Sequence, residues 1–200
     1  AALLADKAYS AVHAVSRRTL DAQHAKLVPH VVDFGRLGAL PKVDDVFIAL
    51  GTTIKVAGSQ AAFRAVDYDA VIALAQAALA SGATKIGVVS AMGADAHSSV
   101  FYNQVKGEME DALGKLGAKT LVIARASMLA GHREALVQPP RKGERIGLAF
   151  MHALKPLIPS NYRAVDARDV AVGLIQSVKA SGPGVHRVLS GALQGAARNH

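Results

Sequence analysis

Short apolar, β-branched runs alternate along this chain with longer alanine-rich stretches of helical periodicity, a pattern that predicts a parallel α/β sheet. The apolar runs place strands over residues 11–15, 27–32, 43–50, 86–89, 120–124 and 185–189. Between them the pattern predicts the end of a helix over 1–4 and a long helix over 61–80. A third helix starts after Ser98 or Ser99 as N-cap. Residues 147–154 read as a helix bounded by Pro156 and Pro159, and Asp166 or Asp169 caps a helix running to about Val178. The last ten residues, 191–200, are rich in Gly, Ala and Arg and read as a flexible tail. No internal repeat or linker interrupts 1–190, so a single domain is expected.

The stretch from Thr84 to Glu110 carries the chemistry. Its strand ends at Ser90, a loop of small and polar residues runs to Ser99, and the helix that follows bears Tyr102 and Lys106 on one face. A tyrosine donates a proton to a carbonyl near neutral pH when its phenolate is stabilised, which a neighbouring ammonium does. A serine hydroxyl fixed by the sheet can hold the same carbonyl oxygen. Ser90, Tyr102 and Lys106 therefore form a candidate carbonyl-reduction triad. A Tyr–Lys pair at this spacing also describes an ordinary solvated helix face; strand, terminal serine, small-residue loop and helix in that order favour the triad.

Composition narrows the class. Two hundred residues, 51% of them hydrophobic, suffice for a sizeable core, and with aromatics at 4% that core is built from Ala, Val, Leu and Ile. The chain has no cysteine, hence no disulfide or thiolate metal site, and the expected compartment is cytoplasmic. No apolar run approaches the roughly 18 residues of a membrane span, and 1–10 lack the pattern of a signal peptide. The net charge of +8 is scattered; Arg17-Arg18, Arg141-Lys142 and Arg145 are its tight groups, so attraction of phosphorylated cofactors explains it better than nucleic-acid binding. The eight histidines form no metal motif. His13 reads as a packed histidine, and His97 lies in the loop beside the triad.

Three runs carry a resemblance: 49–53 (ALGTT), 89–95 (VSAMGAD) and 101–108 (FYNQVKGE). They are similar to the atypical short-chain dehydrogenase/reductases, in particular the Tat-interacting oxidoreductase-like subgroup, and the likeness extends over about 3–189. It implies a Rossmann-type, doubly wound parallel sheet in three αβα layers, with hydride exchange between NADP(H) and a small-molecule carbonyl or alcohol. Tyr102 would donate the proton, Lys106 would bind the nicotinamide ribose, and Ser90 would orient the carbonyl oxygen. Arg17 and Arg18, after a strand end, stand where such reductases select a 2′-phosphate and so NADPH over NADH. Asp33 resembles the acid that binds the adenine amino group, and equally suits a turn. Gly51 allows the chain to turn beneath the cofactor, and Thr52 and Thr53 would hydrogen-bond ribose or phosphate. Relatives commonly have Arg-Pro-Ser where this chain has Arg125-Ala126-Ser127; Arg125, Ser127 and Met128 are candidate pocket residues. Substrate contacts are expected from 91–99 and 129–145, and pairing of two chains through the long helices is the family expectation.

One part of the pattern is absent. No glycine-rich phosphate loop follows a strand, and 1–4 look like the helix that such a loop would open. In the strand order 3-2-1-4-5-6, strand one lies between the strand ending at Ser16 and the one ending at Leu50. Its removal leaves two facing rows of unpaired backbone groups. The expectation is an upstream βα unit of roughly 20 or more residues, or another segment that fills the gap. The rival function is an NAD(P)H-sensing regulator without physiological turnover; a sugar-nucleotide epimerase would need a larger C-terminal substrate domain.

Overall fold

The computed structural model describes residues 1–127, 129–130 and 159–199. A helical turn, α1 (Ala2–Ala5), precedes β1 (Val12–Ser16), which pairs in parallel with β2 (Leu27–Val31), Val12 opposite Leu27 and Ser16 opposite Val31. These two strands form a sheet of their own. A second parallel sheet contains β3 (Asp45–Ile48), β4 (Lys85–Ala91), β5 (Thr120–Ala126) and, beyond a short β6 (Leu129–Ala130) and β7 (Val165–Asp166) ribbon, β8 (Gly184–Leu189). Its order is β3-β4-β5-β8. The α/β class and parallel sheet are as expected, and among the described residues no strand lies between β1 and β3.

Both faces of the larger sheet are covered, which is why β4 and β5 are continuous apolar runs rather than alternating ones. Ile86, Val88, Leu121 and Ile123 pack on one face against Val71, Leu74 and Ala75 of α4 (Ala70–Ala80) and against Met109 and Leu113 of α5 (Phe101–Gly114). Val122 and Ala124 pack on the other against Val170, Leu174 and Val178 of α6 (Ala167–Ala180) and Leu193 of α7 (Ser190–Leu193). The three layers of the expected fold are thus present.

Several expected boundaries shift. The strand over 43–50 contracts to β3, whereas β4 and β5 run on so that Ser90 pairs with Arg125 inside the sheet. The helix over 61–80 is interrupted. After the four-residue α2 (Ile54–Ala57), α3 (Gln60–Arg64) passes into a π-helical turn (Ala65–Asp69), in which the Ala70 N–H donates to the Ala65 carbonyl, before α4 begins. The cap of α5 is Val100, not Ser98 or Ser99; Ser98 Oγ instead accepts from the Val100 N–H at 3.2 Å. Asp166 caps α6 through the Arg168 N–H, at 2.7 Å.

Asp169 has a different task. Its carboxylate accepts from the Gly195 and Ala197 N–H groups at 2.9 and 3.0 Å, and Leu193 is fully buried. The tail expected to be flexible is therefore docked through Arg198, because one carboxylate satisfies two of its amides. The helix expected over 147–154 lies outside the described residues.

Gly107 permits the closest approach in the fold. A Cβ there would lie 2.1 Å from the Ala96 nitrogen and 2.2 Å from the Asp95 carbonyl carbon, so α5 can touch the loop after β4 only through a bare Cα. At Gly114, the last residue of α5, a Cβ would meet nothing within 4 Å. Gly107→Ala is expected to cost about 3 kcal/mol and lower Tm by about 6–12 °C. Gly114→Ala should raise stability by a few tenths to about 1 kcal/mol, with both read by thermal unfolding.

The two backbone donors, Ala197 first and Gly195 next, hold the Asp169 carboxyl below its ordinary value. A depressed folded-state value contributes stability that is full above the unfolded value, about 3.9, and is lost as pH falls through the folded one. The amide shifts of Gly195 and Ala197 should therefore move together, with a midpoint below about pH 3.9, in an NMR titration.

Candidate active site

The cleft forms where the C-terminal ends of β3, β4 and β5 meet α5, the place where open parallel sheets hold ligands. After β3 the chain turns at Gly51. Thr53 then caps α2, its Oγ1 accepting from the Val56 N–H at 3.2 Å, and Gly58 ends that helix in the left-handed region at φ 87°. β4 brings Ser90 to the floor, and α5 brings Tyr102 and Lys106 one turn apart. The resulting cleft, about 810 Å³, is lined by Gly51, Thr52, Thr53, Ser90, Tyr102, Lys106 and Ser127, all seven anticipated in the sequence. The Tyr102 ring packs on Phe63, with centroids 5.5 Å apart.

Asp67 was not anticipated. It lies in the π-helical turn, 1% exposed, and lines the same cleft. Its Oδ1 is 2.8 Å from Lys106 Nζ, and its Oδ2 accepts from the Thr52 N–H at 2.8 Å. Oδ1 receives no directed hydrogen bond from the described residues, so the lysine's charge itself holds it. One carboxylate thus ties the loop after β3 to the lysine of α5. Gly51 completes the arrangement: a Cβ there would be 3.4 Å from Asp67 Oδ1 and 4.0 Å from Lys106 Nζ. The sequence signal was available. Asp67 falls on the stripe of Phe63, Val71, Leu74 and Ala78, where an acid is out of place unless paired.

A second buried carboxylate, Glu110, sits one turn beyond Lys106. Arg125 grips it with two nitrogens, Nε at 3.0 Å from Oε1 and Nη2 at 2.7 Å from Oε2, and Arg187 Nε approaches Oε2 at 3.4 Å. The hydrogen bonds to Glu110 raise the Arg125 guanidinium above its ordinary value. Ser90 Oγ donates to Oε1 at 2.6 Å. A serine has a single proton to give. The Ser90 proton is thus directed to Glu110 while the residue itself lines the cleft.

Other anticipated residues stand elsewhere. Arg125 lies outside the cleft lining, paired with Glu110. Ser127 lines the cleft but donates to the Arg163 carbonyl and accepts from Ser190 Oγ at 2.9 Å. Arg17 and Arg18 are exposed beyond the end of β1, outside the lining. Asp33 accepts from the Gly35 N–H at 2.9 Å and caps a 3-10 turn, the turn-forming alternative. His13 is a packed histidine, its Nδ1 2.9 Å from His30 Nε2. His97 is exposed, its N–H donated to Asp95. Met128 and residues 131–145 lie outside the described residues. Among the described residues there is no metal-ligand cluster, and no helix is long and apolar enough to cross a membrane.

No family model matches the chain. The protein HTATIP2 of Rattus norvegicus is 31% identical over 194 residues, which span 94% of this chain and 78% of that protein. The mitochondrial protein fmp52 of Emericella nidulans is 34% identical over 162 residues, 76% of this chain and 68% of its own length. Candida albicans FMP52, likewise designated mitochondrial, is 42% identical over 91 residues, 45% of this chain and 40% of its own length. These designations overturn the cytoplasmic expectation, which rested on cysteine content and the absence of a signal pattern. Among solved structures, MoeE5 in complex with UDP-glucose and NAD superposes with a TM-score of 0.62 at 15% identity, covering 90% of this chain and 68% of that one. RMD from Pseudomonas aeruginosa complexed with NADPH gives 0.52 at 15% identity, covering 90% and 78%. At such identity they demonstrate the shared fold.

The side chains of Asp67 and Lys106 are 1% and 6% exposed, so removing either charge strands the other in the core. Asp67→Asn is expected to cost about 3–5 kcal/mol, and Lys106→Met a similar amount. The double variant should recover much of that loss, because no unpaired charge remains. A denaturant-unfolding cycle with coupling under about 0.5 kcal/mol would show that the pair does not hold the site.

Proposed function

This chain belongs to the family of HTATIP2 and the FMP52 proteins, atypical short-chain dehydrogenase/reductases that bind NAD(P), and from that premise we propose that it is an NADP(H)-dependent oxidoreductase acting on a small carbonyl or alcohol. The observation that carries this reading is the meeting of Tyr102 and Lys106 with Gly51, Thr52 and Thr53 in one cleft.

The residues present fit the nicotinamide-ribose end of such a cofactor. Lys106 lines the cleft together with Gly51, Thr52 and Thr53, and Asp67 Oδ1, 2.8 Å from its Nζ, holds it there. A ribose, with hydroxyls that both donate and accept, matches this mixed floor. When bound, the nicotinamide supplies the hydride chemistry.

The chain's own groups do the rest. Tyr102 Oη moves the proton to or from the substrate oxygen, and the Lys106 ammonium favours the phenolate form. Asp67 fixes where that ammonium stands. Ser90, its proton directed to Glu110, lines the cleft beside Tyr102. Arg17 and Arg18, adjacent and exposed beyond β1, supply the positive charge that a 2′-phosphate prefers.

The rival reading, a cofactor-binding regulator without turnover, is favoured by one observation. The Ser90 proton is directed to Glu110 rather than to the cleft.

Titration with NADPH and NADH, followed by nicotinamide fluorescence, should give at least tenfold tighter binding of NADPH, and Arg17→Glu should erase the preference. Tyr102→Phe should lower turnover on a carbonyl panel by about 10²–10⁴-fold with cofactor affinity within about threefold. Turnover undiminished in that variant would remove Tyr102 from the chemistry. Tight NADPH binding with no turnover in the parent chain would favour the regulator.

A further inference from the structure

The strand order gives the cleft two ends. Gly51, Thr52 and Thr53 follow β3, Ser90 lies on β4, and Ala126 ends β5 with Ser127 after it. Ser90 pairs with Arg125 and Ala91 with Ala126, so the β5 end begins one strand spacing, about 4.8 Å, from the serine. Met92, whose N–H donates to the Ala126 carbonyl at 2.9 Å, and Tyr162 complete this end of the lining. Neither takes part in the chemistry proposed above.

Tyr162 is 67% exposed, yet the turn that carries it is held from two sides. It ends a 3-10 turn, Ser160–Tyr162, in which the Tyr162 N–H donates to the Pro159 carbonyl and the Arg163 N–H to the Ser160 carbonyl. From the end of β5, Ser127 Oγ donates to the Arg163 carbonyl. From the tail, Gln194 Nε2 donates to the Ser160 carbonyl at 2.6 Å, and the Gly191 N–H to Asn161 Oδ1 at 2.9 Å. A Cβ on Gly191 would lie 2.7 Å from both Asn161 Oδ1 and Ser160 Oγ, so this contact is as close as only a glycine allows. An aromatic ring exposed on a loose loop is ordinary. One carried on a turn pinned between two elements is pre-organised for a guest.

Charge and hydrogen-bonding capacity decide what this end can hold. Among the described lining residues the charged side chains are Asp67 and Lys106, and they are paired with each other. Ser127 directs its single proton to the Arg163 carbonyl. A carboxylate or phosphate brought to the β5 end would therefore lose water and gain no partner. A thioether, a methyl group and a phenol ring instead favour an aromatic guest. We propose that Met92, Ala126 and Tyr162 form a subsite for an uncharged aryl group of the substrate, with Tyr162 as the specificity-determining residue. The short step from Ser90 puts that ring next to the carbonyl or alcohol carbon. That such a guest is a substrate rests on the oxidoreductase reading above; that it binds does not.

The test titrates benzyl alcohol and benzoate into the full chain, with and without NADPH, followed by NMR. Benzyl alcohol should shift the Met92 methyl and Ala126 amide resonances saturably, and benzoate at the same concentration should not. Tyr162→Ala should weaken benzyl alcohol about fivefold with Tm within about 2 °C of the parent, and Tyr162→Phe should keep the parent affinity. In the NADPH-dependent reaction, kcat/KM for benzaldehyde should exceed that for 4-carboxybenzaldehyde by about tenfold or more. Tyr162→Ala should raise the benzaldehyde KM about fivefold with kcat within about twofold. Equal shifts from benzoate, or no saturable shift from benzyl alcohol with or without NADPH, overturn the subsite. So does a Tyr162→Ala chain whose benzyl alcohol affinity or benzaldehyde KM is unchanged. Benzyl alcohol bound as expected with no aldehyde turned over supports the subsite and removes the oxidoreductase reading. Aldehyde turnover without those shifts does the reverse.

Discussion

A carboxylate cannot be left charged and alone in an apolar interior, and two such groups determine how this cleft is built. Asp67 is neutralised by Lys106 and Glu110 by Arg125, and both lie within the layer between the sheet and its helices. Each pair joins elements far apart in sequence: the helix before β4 to α5 in one case, α5 to β5 in the other. Two of the side chains that line the cleft hang from these pairs. Lys106 stands where Asp67 holds it, and the orientation of the Ser90 hydroxyl follows from Glu110. Such pairs add little net stability over apolar residues of equal volume. What they supply is position, which a smooth hydrophobic face cannot.

The same helix thus serves two ends. Its buried residues Val105, Met109 and Leu113 anchor it to the sheet, while Tyr102, Lys106 and Glu110 lie along a polar stripe one turn apart. Gly107 sits between these faces and lets the loop after β4 press directly on the helix backbone. The distance from strand end to tyrosine is consequently set by main-chain contact rather than by side chains that could yield.

Much of this was legible in the sequence, for identifiable reasons. The buried strands announce themselves as β-branched runs, and Tyr102 and Lys106 were recoverable from helix spacing and their setting. The cleft residues after β3 were recoverable only through resemblance. Asp67 and Glu110 were missed because an acid on a helix ordinarily means solvent; only placement against the apolar stripe distinguishes them. Ser90 and Arg125 were assigned by position along the chain, and both turned out to be spoken for by the same carboxylate. The docking of 191–198 was hidden because Leu193 is one apolar residue in a tail of small ones, and its partner Asp169 looked like a helix cap.

The π-helical turn at Ala65–Asp69 has a meaning of its own. A π turn amounts to one residue more than an α-helix would use over the same rise, and one residue is about 100° of rotation. Without it, everything upstream in that helix would be wound round relative to α4. Phe63 would swing away from the Tyr102 ring. The extra residue therefore behaves as an inserted phase shift: it allows one continuous helix to present a core surface at one end and a wall of the cleft at the other.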